Sequence, residues 1–134
     1  MTLHLEQNMT NPFADQTKFM NACGQTTDKW HRAQFEMYLD LIKEEYQEEL
    51  LPAVTNEDTV EVLDALIDIL VVTIGTINSL GVDGEAAWNE VMRTNMAKID
   101  PETGKVRKRE DGKVLKPEGW QPPQLAQFVK HLTE

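Results

Sequence analysis

The chain of 134 residues predicts an all-α fold, a four-helix bundle-like core followed by a short C-terminal hairpin and an extended arm. Three observations carry that expectation. Apolar residues recur at helical spacing through most of residues 12–100. Start and stop signals divide that stretch into four segments. Beyond Pro101 the composition turns basic, and Glu110-Asp111-Gly112 reads as the turn of a hairpin. A single domain over 1–134 is expected, with its core at about 12–100 and its basic arm at about 101–134.

Residues 1–11 are polar and expected to be loose. Asn11-Pro12 opens the first helix, Asn as the cap and Pro at the first helical position, where its missing N–H costs nothing. That helix is expected to stop near Gly24. A second starts near Thr27, carries Asp28 in its first turn and runs to about Leu51, ahead of Pro52. Thr55 followed by Asp58 resembles a capping box for a third helix, which Gly81 closes. Asp83 caps a fourth, expected to reach about Ile99 before Pro101. Lys105–Arg109 and Lys113–Lys116 form the hairpin, and Pro117, Pro122 and Pro123 an extended segment. Residues 124–132 suit a last short helix.

The bulk numbers narrow the function. A net charge of -10 argues against a nucleic-acid binder, which needs basic surface against phosphate. One cysteine, Cys23, excludes an internal disulfide and suits a reducing cytoplasm; with no His partner in its sequence context it is expected in the core. The longest uncharged run, Ile69 to Val82, has 14 residues and is too short to span a bilayer. The start of the chain has neither the basic nor the apolar run of an export signal. A cytoplasmic protein with no membrane partner is expected.

Carboxylates occupy faces that should be core. On the second helix the apolar face centred on Leu41 holds Trp30, Met37, Tyr38 and Ile42. One turn further on, it is occupied by Glu45 and Glu48, with Glu44 and Glu49 at its margins. The third helix is apolar nearly all round, as a buried helix is, yet carries Glu61, Asp64 and Asp68 on one stripe. Lys43 falls on the far side of the second helix, and the third has no Lys or Arg from residue 57 to 81. Buried without a counter-charge, each such ion costs several kcal/mol (on the order of 3 to 5). Mg²⁺, a hard cation with oxygen ligands and room for phosphates and water, is the natural solution. A solvated face is the plain alternative for Glu44–Glu49 taken alone; Asp64 and Asp68, set in an apolar helix, are harder to explain that way.

Glu44-Glu45-Tyr46-Gln47-Glu48 and Glu61-Val62-Leu63-Asp64 resemble the Glu-Glu-x-x-Glu and Glu-x-x-Asp motifs of MazG-like pyrophosphohydrolases. Phe19–Gln25, Leu41–Ala53, Asp64–Gly81, Arg93–Lys98 and Asp111–Pro123 extend the likeness to phosphoribosyl-ATP pyrophosphohydrolase-like proteins, including the dimeric dUTPase relatives. The likeness departs at one point. Asp68-Ile-Leu-Val-Val-Thr-Ile-Gly75 also fits the motif's aspartate, which places the motif glutamate on Ala65. Two registers therefore compete, Glu61 with Asp64 or Asp64 with Asp68.

The resemblance implies a Mg²⁺-dependent enzyme, with Mn²⁺ as a substitute, that cleaves nucleoside triphosphates between the α- and β-phosphates. It makes Glu44, Glu45, Glu48, Asp64 and Asp68 catalytic, and Glu45, Glu48, Glu61, Asp64 and Asp68 metal ligands. Asn95 and Lys98 become phosphate contacts, joined by Arg109, Lys113 and Lys116. The arm concentrates 6 of the 13 basic residues in 12 positions. Phe19, Asn21 and Gln25 are the candidates for reading the base. A homodimer or higher homo-oligomer is implied, and the apolar circumference of the third helix, more than four helices of one small chain are expected to cover, points the same way. His31 lacks a partner at metal spacing and is expected to be structural. A di-iron carboxylate bundle needs Glu-x-x-His motifs, and no His lies between residues 32 and 130. A nucleotide-binding regulatory module without turnover is the other reading.

Overall fold

The computed structural model of the chain describes residues 11–132; the expectation for residues 1–10 lies outside them. The fold is all-α, as its sequence predicts, with a two-strand sheet as the only other regular structure among the described residues. One compact unit ends at Gly84 and a second begins at Glu85.

In the first unit α1 spans Pro12–Ala22, with the Asn11 side chain accepting from the Ala14 N–H at 2.8 Å. The next helix starts later than expected. α2 spans Arg32–Glu44, capped not near Thr27 but by His31, whose Nδ1 accepts from the Gln34 N–H at 3.1 Å. The Gln34 side chain explains the delay. It bonds both the N–H and the carbonyl of Thr26 and donates to Ser79 Oγ, so the chain before His31 is tied in a non-helical path. His31 is structural, as expected.

Nor does the rod stop before Pro52. α2 passes into a π-helical turn, Glu45–Leu50, and then into α3, Leu51–Thr55, with helical backbone at each junction. Proline stands within the first two positions of α3, and the wide turn before it relieves the clash that its ring makes in an α-helix. The rod ends at Asn56, and Glu57 takes the left-handed conformation at φ 55°. The Asp58 N–H then returns to the Ala53 carbonyl at 3.0 Å, a Schellman closure.

α4 spans Thr59–Ser79. Its cap is Asp58 itself, accepting from the Glu61 N–H; Thr55 instead donates to Leu51 of its own helix. The Thr55 capping box is thus corrected by three residues. Gly81 ends α4 at φ +72°, where a Cβ would strike the backbone of Lys29 and Trp30. α4 packs on α1, α2, the π turn and α3.

The core holds Met20, Tyr38, Ala53, Ala65 and Ile74, and its polar members are paired. Asn78 donates to Thr17 Oγ1, and Ser79 Oγ to the Gly75 carbonyl. The first half of α4 leaves Val60, Leu63, Leu66, Ile67 and Leu70 exposed, so the other helices of the unit do not cover it all round. Cys23, expected in the core, is exposed at the end of α1.

In the second unit α5 spans Gly84–Met96, ending three residues before the expected Ile99. Ile99–Asp100 (β1) instead pairs antiparallel with Lys105–Val106 (β2), around a turn closed by the Gly104 N–H on the Asp100 carbonyl at 2.8 Å. The expected hairpin follows, with Lys108 bridged to Val114 and Gly112 at φ +87° in its turn. Residues 124–132 give two short 3₁₀ turns, Ala126–Phe128 and Lys130–Leu132, rather than one helix. No helix of the described residues is long and apolar enough to cross a membrane.

Candidate active site

The acidic residues of the rod meet those of α4 where the π turn packs on that helix. Glu45 is the half-buried member. Its carboxyl is pushed above the ordinary carboxylate range, first by burial and then by the charges of Asp68, Glu49, Asp64 and Glu44. Its Oε2 atom is buried and accepts no hydrogen bond. A carboxylate oxygen out of contact with water and with no donor is unfavourable unless a cation or a proton supplies what is missing.

Asp64 and Asp68 lie one turn apart on α4, with buried Ala65 between them. Asp64 is exposed and Asp68 half-buried, and the charges of both act on Glu45. Glu61, one turn earlier, is exposed beside the Asp58 cap. Of the two registers read from the sequence, Asp64 with Asp68 is the pair whose charges act on Glu45.

Glu44 and Glu48 line a shallow cleft of about 260 Å³ together with Asp40, Lys43 and Gln47. Lys43 lines that cleft too, and all five lining residues lie on the rod, none on α4. The helical wheel puts Glu48 on the inner face because it assumes an α-helix through residues 45–50, where the chain makes a π turn. Glu49, at the margin in that wheel, is among the charges that act on Glu45.

All these donors are oxygens, which suits Mg²⁺ or Mn²⁺, and the orphaned Glu45 oxygen is the observation that fits such an ion. Among the described residues no three His, Cys, Asp or Glu side chains converge closely enough to enclose an ion unaided. Like charges facing one another across a helix pair repel, which keeps the carboxylates apart.

The candidates for the base lie at the end of α1. Phe19 is 63% exposed. Asn21 Oδ1 accepts from Thr27 Oγ1 at 3.2 Å, and Gln25 Oε1 accepts from the Tyr38 hydroxyl. Both amides are thus fixed by their oxygens.

The second unit has its own polar arrangement. Lys98 Nζ donates to Asn95 Oδ1 at 3.2 Å, and the ammonium groups of Lys98 and Lys116 lie over the Trp120 ring at 5.1 and 4.7 Å. The Trp120 indole donates to the Thr94 carbonyl at 2.7 Å. Arg109 is engaged with Asp111 at 2.8 Å, and Lys113 has its N–H on the same carboxylate. Asn95, Lys98 and Lys116 are therefore gathered at Trp120, whereas Arg109 and Lys113 belong to the hairpin turn.

The family model described as phosphoribosyl-ATP pyrophosphohydrolase matches residues 16–95. No curated protein matches the chain.

Proposed function

This chain belongs to the phosphoribosyl-ATP pyrophosphohydrolase family, and on that premise we propose that it is a Mg²⁺-dependent nucleoside triphosphate pyrophosphohydrolase, releasing a nucleoside monophosphate and pyrophosphate. The family's activity makes it a hydrolase acting on phosphoric anhydrides. The proposal adds the metal, the triphosphate substrate and a house-cleaning role on nucleotides of the dUTP kind, in the cytoplasm. A single observation supports the metal most directly: the buried, unpaired Glu45 oxygen amid the charges of Asp64 and Asp68.

Glu45, Asp64 and Asp68 would hold the ion, with Glu48 and Glu61 completing the set as substrate arrives. Bound there, Mg²⁺ supplies charge neutralisation and a lowered pKa for coordinated water. Glu44, which lines the cleft beside Lys43, would accept a proton from the attacking water. The ion-facing carboxylates on α4 and the π turn are carried by rigid helices, which limits the reorganisation needed in the reaction. In the second unit Lys98, oriented by Asn95, is the leading contact for phosphate oxygens, with Lys116 beside it. Phe19, Asn21 and Gln25 would meet the base.

The exposed stripe Val60, Leu63, Ile67 and Leu70 supports a homodimer, since its spacing of three and four residues makes one continuous apolar face on α4. A second copy of the chain is the occupant that we propose for it.

The test of the function is pyrophosphate release from a panel of deoxy- and ribonucleoside triphosphates with Mg²⁺ or Mn²⁺. Equal amounts of monophosphate and pyrophosphate are expected from at least one of them, with no product when the ion is chelated. Orthophosphate as the first product, or no turnover of any substrate, would overturn the proposal.

A further inference from the structure

The π turn is placed on the motif that carries the acids, and the register around it explains why. Tyr38 and Ala53 are buried at 5% and 6% exposure, and Glu45 lies half-buried between them on the same rod. From Tyr38 to Glu45 is seven residues, two α-helical turns, so both point the same way. From Glu45 to Ala53 is eight, which in an unbroken α-helix would swing Ala53 about 80° away from Glu45.

The rod solves this by absorbing one residue. Over Glu45–Leu50 the backbone bonds reach five residues back instead of four, as in the bond from the Leu51 N–H to the Tyr46 carbonyl. Pro52 stands directly after that turn. It has no N–H to give the Glu48 carbonyl, and in an α-helix its ring would collide with that carbonyl. The wide turn relieves the ring's clash and returns Ala53 to the face that packs on α4.

We infer that Pro52 is a positioning residue for the acidic site. By holding the preceding turn in π geometry it keeps Glu45 aimed at Asp64 and Asp68 and sets Glu49, rather than Glu48, one turn beyond it. For its role in the reaction this inference rests on the function proposed above; its structural half does not. Glu49, four residues after Glu45, is one π turn on, and its charge acts on Glu45. Glu48 is turned toward the cleft that holds Asp40, Lys43 and Glu44.

The experiment uses the full chain in two parts. The first reads register alone, by amide and Hα NOEs through residues 45–53 of wild type and Pro52→Ala. Wild type should show contacts between Tyr46 and Leu51, and Pro52→Ala should lose them in favour of the four-residue pattern. An unchanged π pattern overturns the inference, whatever the protein's activity.

The second part reads Mn²⁺ binding by EPR without substrate. Pro52→Ala should bind at least tenfold more weakly than wild type at similar helix content. Pro52→Ala combined with deletion of Gln47, which removes the extra residue and lets an α-helix restore the seven-residue spacing, should recover affinity to within about threefold. Glu49→Gln should weaken binding more than Glu48→Gln. A double variant that folds and stays weak, or an equal effect of the two glutamine variants, overturns the inference. If the double variant does not fold, the glutamine pair decides. Failure of wild type to bind Mn²⁺ would instead overturn the metal reading, and the NOE result still decides the register.

Discussion

The Tyr38 ring lies directly on the backbone of Gly75, so near that a Cβ at position 75 would fall 2.7 Å from the ring's Cζ. This contact lets α2 and α4 approach closely in the layer next to the acidic site. It also holds the Tyr38 hydroxyl on Gln25, linking the helix pair to the segment after α1. Gly75→Ala should therefore displace a buried ring and destabilise the protein by about 1 to 3 kcal/mol, the usual cost of overpacking. Urea unfolding followed by circular dichroism measures it. An unchanged midpoint would mean that the two helices are not held at this distance.

Much of this arrangement is legible in the sequence, and what is not has physical causes. Asn11-Pro12, Gly81 and Asp111-Gly112 mark their turns because the backbone conformation there selects the residue. The start of α2 is hidden because its determinant, Gln34, acts through a bond to Ser79, 45 residues away. The π turn is hidden because a helical wheel assumes a constant period. That assumption places Glu48 on the inner face and leaves Glu49 at its margin. Asp64 and Asp68 were readable because a charge amid Leu, Ile and Val has few explanations. The bare face of α4 is legible too, because a helix apolar around most of its circumference has more to cover than four helices of one small chain supply.

Glu45 carries a pH dependence whose direction follows from its environment. Burial and the neighbouring acids raise its pKa above the ordinary 4.5. The folded protein thus holds this proton more tightly than the unfolded chain, and stability falls as pH rises from about 4.5 through the raised value. Glu45→Gln removes that loss. The metal-free variant should melt above wild type at neutral pH, and the gap should close below about pH 4, where both states are protonated. Mg²⁺ should raise the neutral-pH Tm of wild type and not that of the variant. Parallel Tm profiles would rule out Glu45 as the strained acid.

Loss of a carboxylate from the ion site should be far more costly to turnover than to folding. Asp68→Asn keeps the size of the side chain on a helix whose packing does not depend on the charge. Metal affinity or activity is expected to fall at least about 100-fold, the upper range for disturbing a metal's surroundings, with helix content nearly intact. Glu48→Gln should abolish turnover as well, because Glu48 would be one of the ion's ligands. Pyrophosphate release at several Mg²⁺ concentrations reads both variants. Retained activity in the two together would count decisively against the site.

The apolar stripe of α4 makes its own prediction, because a single copy gains nothing from leaving it in water. Val60 and Leu63 are 74% and 62% exposed. In a two-fold pair each substitution acts twice, and losing two buried Leu side chains removes about 3 kcal/mol or more of association, roughly a hundredfold in the dissociation constant. Leu63→Glu with Ile67→Glu should give monomers by light scattering at concentrations where wild type is dimeric, with the circular dichroism spectrum unchanged. A wild type that is monomeric throughout would remove the dimer from the proposal.

Glu90 ties the C-terminal segment of the second unit to α5, and its titration should reveal when that tie breaks. Its carboxylate accepts two bonds from Arg93, at 2.8 and 2.9 Å, and one from the Gln124 N–H at 2.7 Å. The Arg93 hydrogen bonds and then the Gln124 N–H hold its pKa down at about 2. The unfolded chain takes up this proton near the ordinary 4.5, so the ion pair's contribution is complete above that value. It is lost progressively as pH falls from 4.5 toward 2. Glu90→Gln should remove that acid-range dependence and speed amide exchange at Gln124, whose N–H loses a charged acceptor. Hydrogen exchange at this amide across the acid range checks both. Exchange that is equally slow in the variant would show that the segment after Pro123 is held by its packing rather than by Glu90.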